Sequence, residues 1–406
     1  MGGASLLGGC GNMRSERGGR PVLDAGEAMP RSRRWATLVG GCCVVALAGA
    51  CGAATPSTAT TGHSTTWKSR TLPKTVEGLD AVSCPTGGDC WAVGSTSTGG
   101  GAIVGSTDGG STWTSEASPG ATTASPNSTK VIAFGGVSCP TSTDCWVVGA
   151  TTANTGAVIA TTDGGHTWRA QNVPTSDDGR SLYGLKSVSC PTSSNCWAVG
   201  ATTGNTGAVL SSADGGRTWS TQSLPGGIGV LNGVSCATST ACFVVGATAS
   251  NTGVVLATTD GGSSWSSQTL PSGISQTLPS GLYALNGVSC STAMDCRAVG
   301  ASTSDAGVIV ATTDGGRTWT SQPLPRGIAL LNGVSCSTTS DCRAVGATAS
   351  KREAVLVTLD SGRSWTSQSV PPGTGLLYGV SCPTTSTCRA VGSTSSNAGA
   401  VLTSDR

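Results

Sequence analysis

Fourteen of the eighteen cysteines in this chain fall in seven pairs of one spacing, C-x5-C. They are Cys84/Cys90, Cys139/Cys145, Cys190/Cys196, Cys236/Cys242, Cys290/Cys296, Cys336/Cys342 and Cys382/Cys388. Such pairs can hold a metal or close a disulfide. Metal ligation wants closer C-x2-C pairs or histidines, and the chain has only His63 and His166. A disulfide wants two cysteines facing each other across a short turn. The residue after the second cysteine is Trp91, Trp146, Trp197 and Phe243 in the first four pairs, then Arg297, Arg343 and Arg389 in the last three. Three equivalent arginines would form a cationic arc for carboxylates or phosphates, and they are the candidate ligand-binding residues. The competing reading, which we prefer, is packing: an aromatic covers a neighbouring surface, and an Arg stem does so while its head reaches water.

Other reactive types are scarce. Past the N-terminal region the glutamates are Glu77, Glu116 and Glu353, and the tyrosines are Tyr183, Tyr283 and Tyr378. No Ser/His/Asp arrangement stands out. The many glycines sit in turns rather than in a strand–loop–helix phosphate cradle. No catalytic residue, metal ligand or cofactor site is assigned.

The elements that carry these residues are repeats. The unit is 46 residues, read from Cys190 to Cys236, Cys290 to Cys336 and Cys336 to Cys382, and longer intervals hold insertions. One insertion is a local duplication, with residues 268–273 echoed at 276–281. A unit reads as four strands, for example 331–336, 342–347, 354–358 and a fourth starting at Ser364-Trp365 and running towards Pro371. Four strands per unit of 40–50 residues is the period of a propeller blade. The fold class expected is all-β, a seven-bladed β-propeller of four-stranded antiparallel blades. The last unit stops before its fourth strand, and Thr65–Pro73 reads as a fourth strand without the first three. A ring closed by an N-terminal strand completing the last blade accounts for both ends and removes unpaired sheet edges. Each cysteine pair then spans the first hairpin of its blade. Seven local disulfides are expected, each adding about 2 kcal/mol by the chain-entropy argument.

The turn between third and fourth strands carries a specific motif. Ser106–Trp113 has the pattern S/T-x-D-x-G-x-T/S-W and recurs at 161–168, 212–219, 258–265, 312–319 and 358–365, with Asp405 and Trp67 as split halves of a seventh. This is an Asp-box. The chain resembles the bacterial neuraminidase repeat propellers: sialidases, sortilin-like receptors and, in its Asp-Gly-Gly-x-Thr-Trp wording after Ala-Val-Gly, the photosystem II stability/assembly-factor family. The resemblance covers roughly residues 65–406. Asp108, Asp163, Asp214, Asp260, Asp314, Asp360 and Asp405 are expected to hold their own turns by accepting backbone N–H bonds. The sialidase branch implies an arginine triad, a Tyr nucleophile assisted by Glu, and an Asp acid/base. No glutamate pairs with the tyrosines here, so that constellation is incomplete. The assembly-factor branch implies a protein partner.

The N-terminal region reads as an export signal. Residues 1–28 form an upstream extension, and the pattern itself begins at Met29. A basic stretch, residues 29–34, precedes an apolar run from Trp35 to Ala50 that is shorter than the ~20 residues of a membrane span. Leu47–Cys51 resembles a bacterial lipobox, with Ala48 where that motif carries Leu, Val or Ile, so Cys51 is the candidate lipidation site. Free secretion is the alternative, and Arg33-Arg34 also suits a twin-arginine route. Residues 52–64 are small and polar, a tether expected to be disordered. Cleavage before Cys51 removes six arginines and three acidic residues, leaving 17 basic against 18 acidic, a net of −1. Nucleic acid is not the expected partner of such a chain.

The functional expectation is a non-catalytic, exported or surface-anchored monomer that binds a protein or an envelope glycan. It touches the membrane through a lipid anchor only. The alternative is a carbohydrate-binding or sialidase-like propeller. Peptide mapping without reduction should recover seven links, each within one C-x5-C pair, and any pairing between different repeats contradicts the blade assignment.

Overall fold

The computed structural model describes residues 66–118, 131–174, 179, 181–270, 282–302 and 304–405. The expected export signal, the candidate lipidation site Cys51 and the expected tether lie outside these residues. All described residues belong to one compact unit, Thr61–Arg406. Among them no helix is long and apolar enough to cross a membrane.

Seven sheets, each of four antiparallel strands, succeed one another along the chain. Blade 6 shows the pattern: Ile328–Cys336, Cys342–Thr348, Glu353–Thr358 and Thr366–Ser367. The first strand begins earlier than its small residues suggest, and the fourth is only two residues long. The fourth pairs just with the end of the third, Leu356 to Ser367 and Val357 to Thr366, before the prolines that cannot donate to a ladder. Blade 7 takes its outer strand from the other end of the chain. Trp67–Arg70 pairs with Gly399–Asp405, placing Trp67 opposite Ser404. The ring is closed as the two incomplete end units require.

Apolar side chains of successive blades meet face to face, so each core cluster is shared between two blades. Val345 and Val355 of blade 6 pack with Leu377, Val380 and Leu402 of blade 7. Val391 and Val401 of blade 7 pack with Leu79 and Val104 of blade 1, which makes the last seam like the others.

Every first strand carries a β-bulge at one register. In blade 6 Leu331 lies opposite Gly346 and Gly333 opposite Val345, leaving Asn332 as the extra residue. The bulge presses the strand backbone onto its neighbour. A Cβ at Gly346 would stand 2.1 Å from the Leu330 carbonyl oxygen, and the glycine of Ala-Val-Gly is required for that reason.

The cysteines pair as their spacing requires. The seven disulfides are Cys84–Cys90, Cys139–Cys145, Cys190–Cys196, Cys236–Cys242, Cys290–Cys296, Cys336–Cys342 and Cys382–Cys388, with Cα atoms 4.0–4.2 Å apart. They do more than staple hairpins, which is all the spacing implied. The second half-cystine of each pair is buried in the apolar seam between two blades: Cys90, Cys145, Cys196 and Cys242 in blades 1 to 4, then Cys296, Cys342 and Cys388. The sulfurs thus supply part of the core that large side chains would otherwise fill.

Blades are also tied by a serine. In each Val-Ser-Cys, the serine Oγ accepts the backbone N–H of the first cysteine in the next blade. The bonds run Ser83 to Cys139, Ser138 to Cys190, Ser189 to Cys236, Ser235 to Cys290, Ser289 to Cys336, Ser335 to Cys382 and Ser381 back to Cys84, all at 3.0–3.1 Å. Ser335→Ala leaves the Cys382 N–H without its acceptor and should cost about 1–2 kcal/mol. A lower urea midpoint at unchanged slope is the expected result.

Candidate functional site

The propeller presents two faces and an axis. On one face the first hairpin of each of blades 1 to 6 is bonded to its own Asp-box turn, as in Gly109 N–H to Gly88 O at 2.8 Å and Gly315 N–H to Met294 O at 3.0 Å. The opposite face is built from second-to-third turns bonded to the entry of the first strand, as in Ala349 N–H to Gly327 O and Ser395 N–H to Gly373 O.

The box carboxylates are spent on their turns. Asp314 Oδ1 accepts from the Thr318 backbone N–H at 2.9 Å and from Thr312 Oγ1 at 2.8 Å, and Oδ2 accepts from Thr318 Oγ1 at 2.6 Å. The same set recurs at Asp108, Asp163, Asp214, Asp260 and Asp360. Gly315 and Gly316 turn the chain at φ of 72° and 87°, which side-chain-bearing residues rarely adopt. Asp405, in the split seventh box, instead meets Arg389 Nη1 at 3.1 Å.

The position after the second cysteine joins blades. Trp146 Nε1 donates to the Gly215 carbonyl in the box of the next blade at 3.2 Å. Phe243 packs edge-on to Trp319 of the next box, with ring centroids 5.8 Å apart. The arginines take the same place. In place of an open cationic arc, Arg297, Arg343 and Arg389 are 0%, 1% and 2% exposed. Arg297 donates to its neighbour Asp295 and to the Thr339 and Ser361 carbonyls of blade 6, at 2.9 and 3.2 Å. Arg343 pairs with Asp341. Arg389 also donates to the Cys388 and Ser404 carbonyls, at 2.8 and 3.4 Å. Burying a guanidinium is costly without such partners. The two aspartates just before Cys296 and Cys342 are the compensating residues, and nothing in the repeat pattern singles them out.

The axis is lined by the bulged residues. Asp80, Gly135, Lys186, Asn232, Asn286, Asn332 and Tyr378, one from each blade, surround a cavity of about 170 Å³. The three asparagines each donate Nδ2–H to a carbonyl of the next first strand: Leu285 at 3.0 Å, Leu331 at 3.0 Å and Leu377 at 2.8 Å. Lys186 Nζ donates to Asn232 Oδ1 at 2.9 Å. The signal for this ring is its variability, since the residue before Gly/Ala/Ser-Val-Ser changes while its neighbours repeat.

The remaining candidates do not converge. Tyr183 is 53% exposed at the start of its first strand, and Tyr378 lines the axis. The Tyr283 side chain lies outside the described part of the structure. Glu116 lies at the seam of blades 1 and 2, where other blades have glutamine, and burial pushes its carboxyl up from the ordinary range. Gln322 shows what that register does, accepting from Trp365 Nε1 of the next box at 2.9 Å. Glu353 opens the third strand of blade 6, 3.6 Å from the exposed Arg352. Among the described residues no three His, Cys, Asp or Glu side chains come together as a metal site.

Fold and boxes together define a seven-bladed Asp-box propeller. Its resemblance to the photosystem II assembly-factor branch holds in the comparison with known proteins: residues 191–323 match the family model for photosynthesis system II assembly factor YCF48. No curated protein matches the chain. Solved structures it resembles include YCF48 bound to D1 peptide (17% identity, TM-score 0.57, 84% of this chain and 97% of that one). YCF48 from Cyanidioschyzon merolae aligns at 14% identity and TM-score 0.57, over 84% of this chain and 98% of that one. A streptogramin B lyase does so at 12% and 0.57, over 84% and 98%. At these identities the likeness establishes the fold.

Hydrogen bonds from the Thr318 hydroxyl, the Thr318 N–H and Thr312 hold the Asp314 carboxyl at about 2, below its ordinary 3.8. A carboxyl lowered on folding stabilises the protein above its unfolded value, and the gain is lost as pH falls through the folded one. Six boxes share this shift. Stability should therefore hold down to about pH 4 and drop steeply between 4 and 2. Asp314→Asn should shallow that drop and lower stability at neutral pH, as followed by near-UV circular dichroism.

Proposed function

We propose that this propeller is a non-catalytic scaffold that binds a protein partner outside the cytoplasm. The observation that carries the reading is where its polar chemistry goes. The Asp-box carboxylates and the three arginines hold turns and blades, so the second-to-third turns and the axis remain for recognition. The YCF48 structure bound to a D1 peptide supports a protein ligand, since it shows a propeller of this fold occupied by a peptide.

Catalysis is the weaker reading. Among the similar folds is a virginiamycin B lyase described as catalytically inactive when one histidine is replaced by alanine. Here His166 sits in an exposed Asp-box turn of blade 2, away from the axis. Seven disulfides suit an oxidising, extracytoplasmic compartment. We take the N-terminal signal to direct export there, with lipidation at Cys51 as the anchor. In this reading Arg297, Arg343 and Arg389 join blades and leave the ligand to other groups.

The test is a paired array, in which the segment 52–406 is probed against peptides from exported membrane proteins and against bacterial and host glycans. Saturable micromolar binding to peptides, with blank glycans, is expected. A saturable glycan signal with blank peptides would replace the scaffold with a carbohydrate-recognition propeller.

A further inference from the structure

The tandem repeat supplies its own control for the axial ring. Blades 4, 5 and 6 put asparagine at the bulge, and each asparagine clamps the next first strand through its amide. Blade 3 puts Lys186 there instead. The fold does not need a cation at this register, because asparagine does the structural work three times over.

The lysine is also poorly compensated. Solvent reaches Lys186 through the channel, yet protein surrounds it, and lost hydration lowers its pKa. Its hydrogen bond goes to Asn232 Oδ1, a neutral acceptor, whereas an ammonium carries three donors. None of the ion pairs among the described residues includes it. Asp80, two blades away on the same wall, has interactions of its own within the fold. On one flank blade 2 offers only Gly135, where a Cβ would stand 3.0 Å from the Lys186 carbonyl oxygen. Glycine at this register places no side chain of its own beside the ammonium. On the other flank lie the asparagine amides, around a void of about 170 Å³.

We propose that the axial channel is a binding site for one small oxyanion, a carboxylate or a phosphate group, held by Lys186. The anion offers the ammonium charged acceptors, and a charge-assisted hydrogen bond is stronger than the neutral one to Asn232. The site is separate from the two loop faces, so a protein partner and the anion can be bound together or apart.

Calorimetric titration of the full chain with inorganic phosphate, and separately with acetate, at constant ionic strength in chloride, tests this. One-to-one saturable binding of at least one anion is expected, and which one binds names the ligand group. Lys186→Asn, which installs the residue of blades 4 to 6, should keep its unfolding midpoint and weaken binding at least tenfold. Should that variant fail to fold, the wild-type chain reductively methylated with 13C decides, with Lys186→Arg assigning the resonance, which must move with the anion. Absence of saturable binding by both anions, equal binding by Lys186→Asn, or an unmoved Lys186 resonance overturns the proposal.

Discussion

One contact recurs at every seam and everything else leans on it: a serine hydroxyl accepting the N–H of the next blade's cysteine. Seven such bonds form a closed circuit, and Ser381 to Cys84 is as short as the rest to within 0.1 Å. The donor is a half-cystine. The disulfide that fixes a hairpin therefore also fixes the N–H that the preceding blade must find. Blade geometry and blade-to-blade geometry are set at one residue, which suits a chain with 4% aromatics and few large side chains to pack. Hydrogen-bonded registry substitutes here for the bulky interlocking that larger side chains would give.

The bulge solves the second problem, how seven first strands crowd around an axis without leaving it empty or overfilled. It turns one residue per blade inward, and it brings the strand so close to its neighbour that glycine must stand opposite. Stability fixes that glycine and the leucine ahead of the bulge, which is wholly buried in blades 1, 4, 5, 6 and 7. The bulged residue itself is free to vary. At this register the ring accommodates aspartate, glycine, lysine, asparagine and tyrosine.

The architecture was legible because the sequence repeats: cysteine spacing counted the blades, Asp-boxes marked the outer turns, and the incomplete end units foretold closure. The fourth strand reads longer in sequence than it is, since beyond Ser367 one further bond, Gln368 N–H to the Val355 carbonyl, is made before Pro371 and Pro372. The site was much less legible. Packing was the preferred reading of Arg297 and Arg343, but a ligand-binding arc stayed open beside it because sequence shows charge and not burial, and their partners Asp295 and Asp341 sit two residues upstream in a turn that reads as merely polar. Ser335 and its equivalents were invisible as contacts because invariance inside a repeat does not say which blade a hydroxyl reaches. Lys186 gave no signal because a single departure from a repeat reads as noise until the bulge places it on the axis.

Closure by the Trp67–Arg70 strand also imposes an order in time. The first propeller strand in chain order pairs with Gly399–Asp405, the last propeller strand. Each disulfide, by contrast, spans six residues of sequence. Hairpins can thus be locked one by one wherever the chain meets an oxidant, whereas the final sheet must wait until both end strands are present. Contacts of such sequence separation form slowly. Until then the molecule is an open crescent with an exposed edge at each end, held in shape by local covalent links, and its most aggregation-prone moment falls just before the ring shuts.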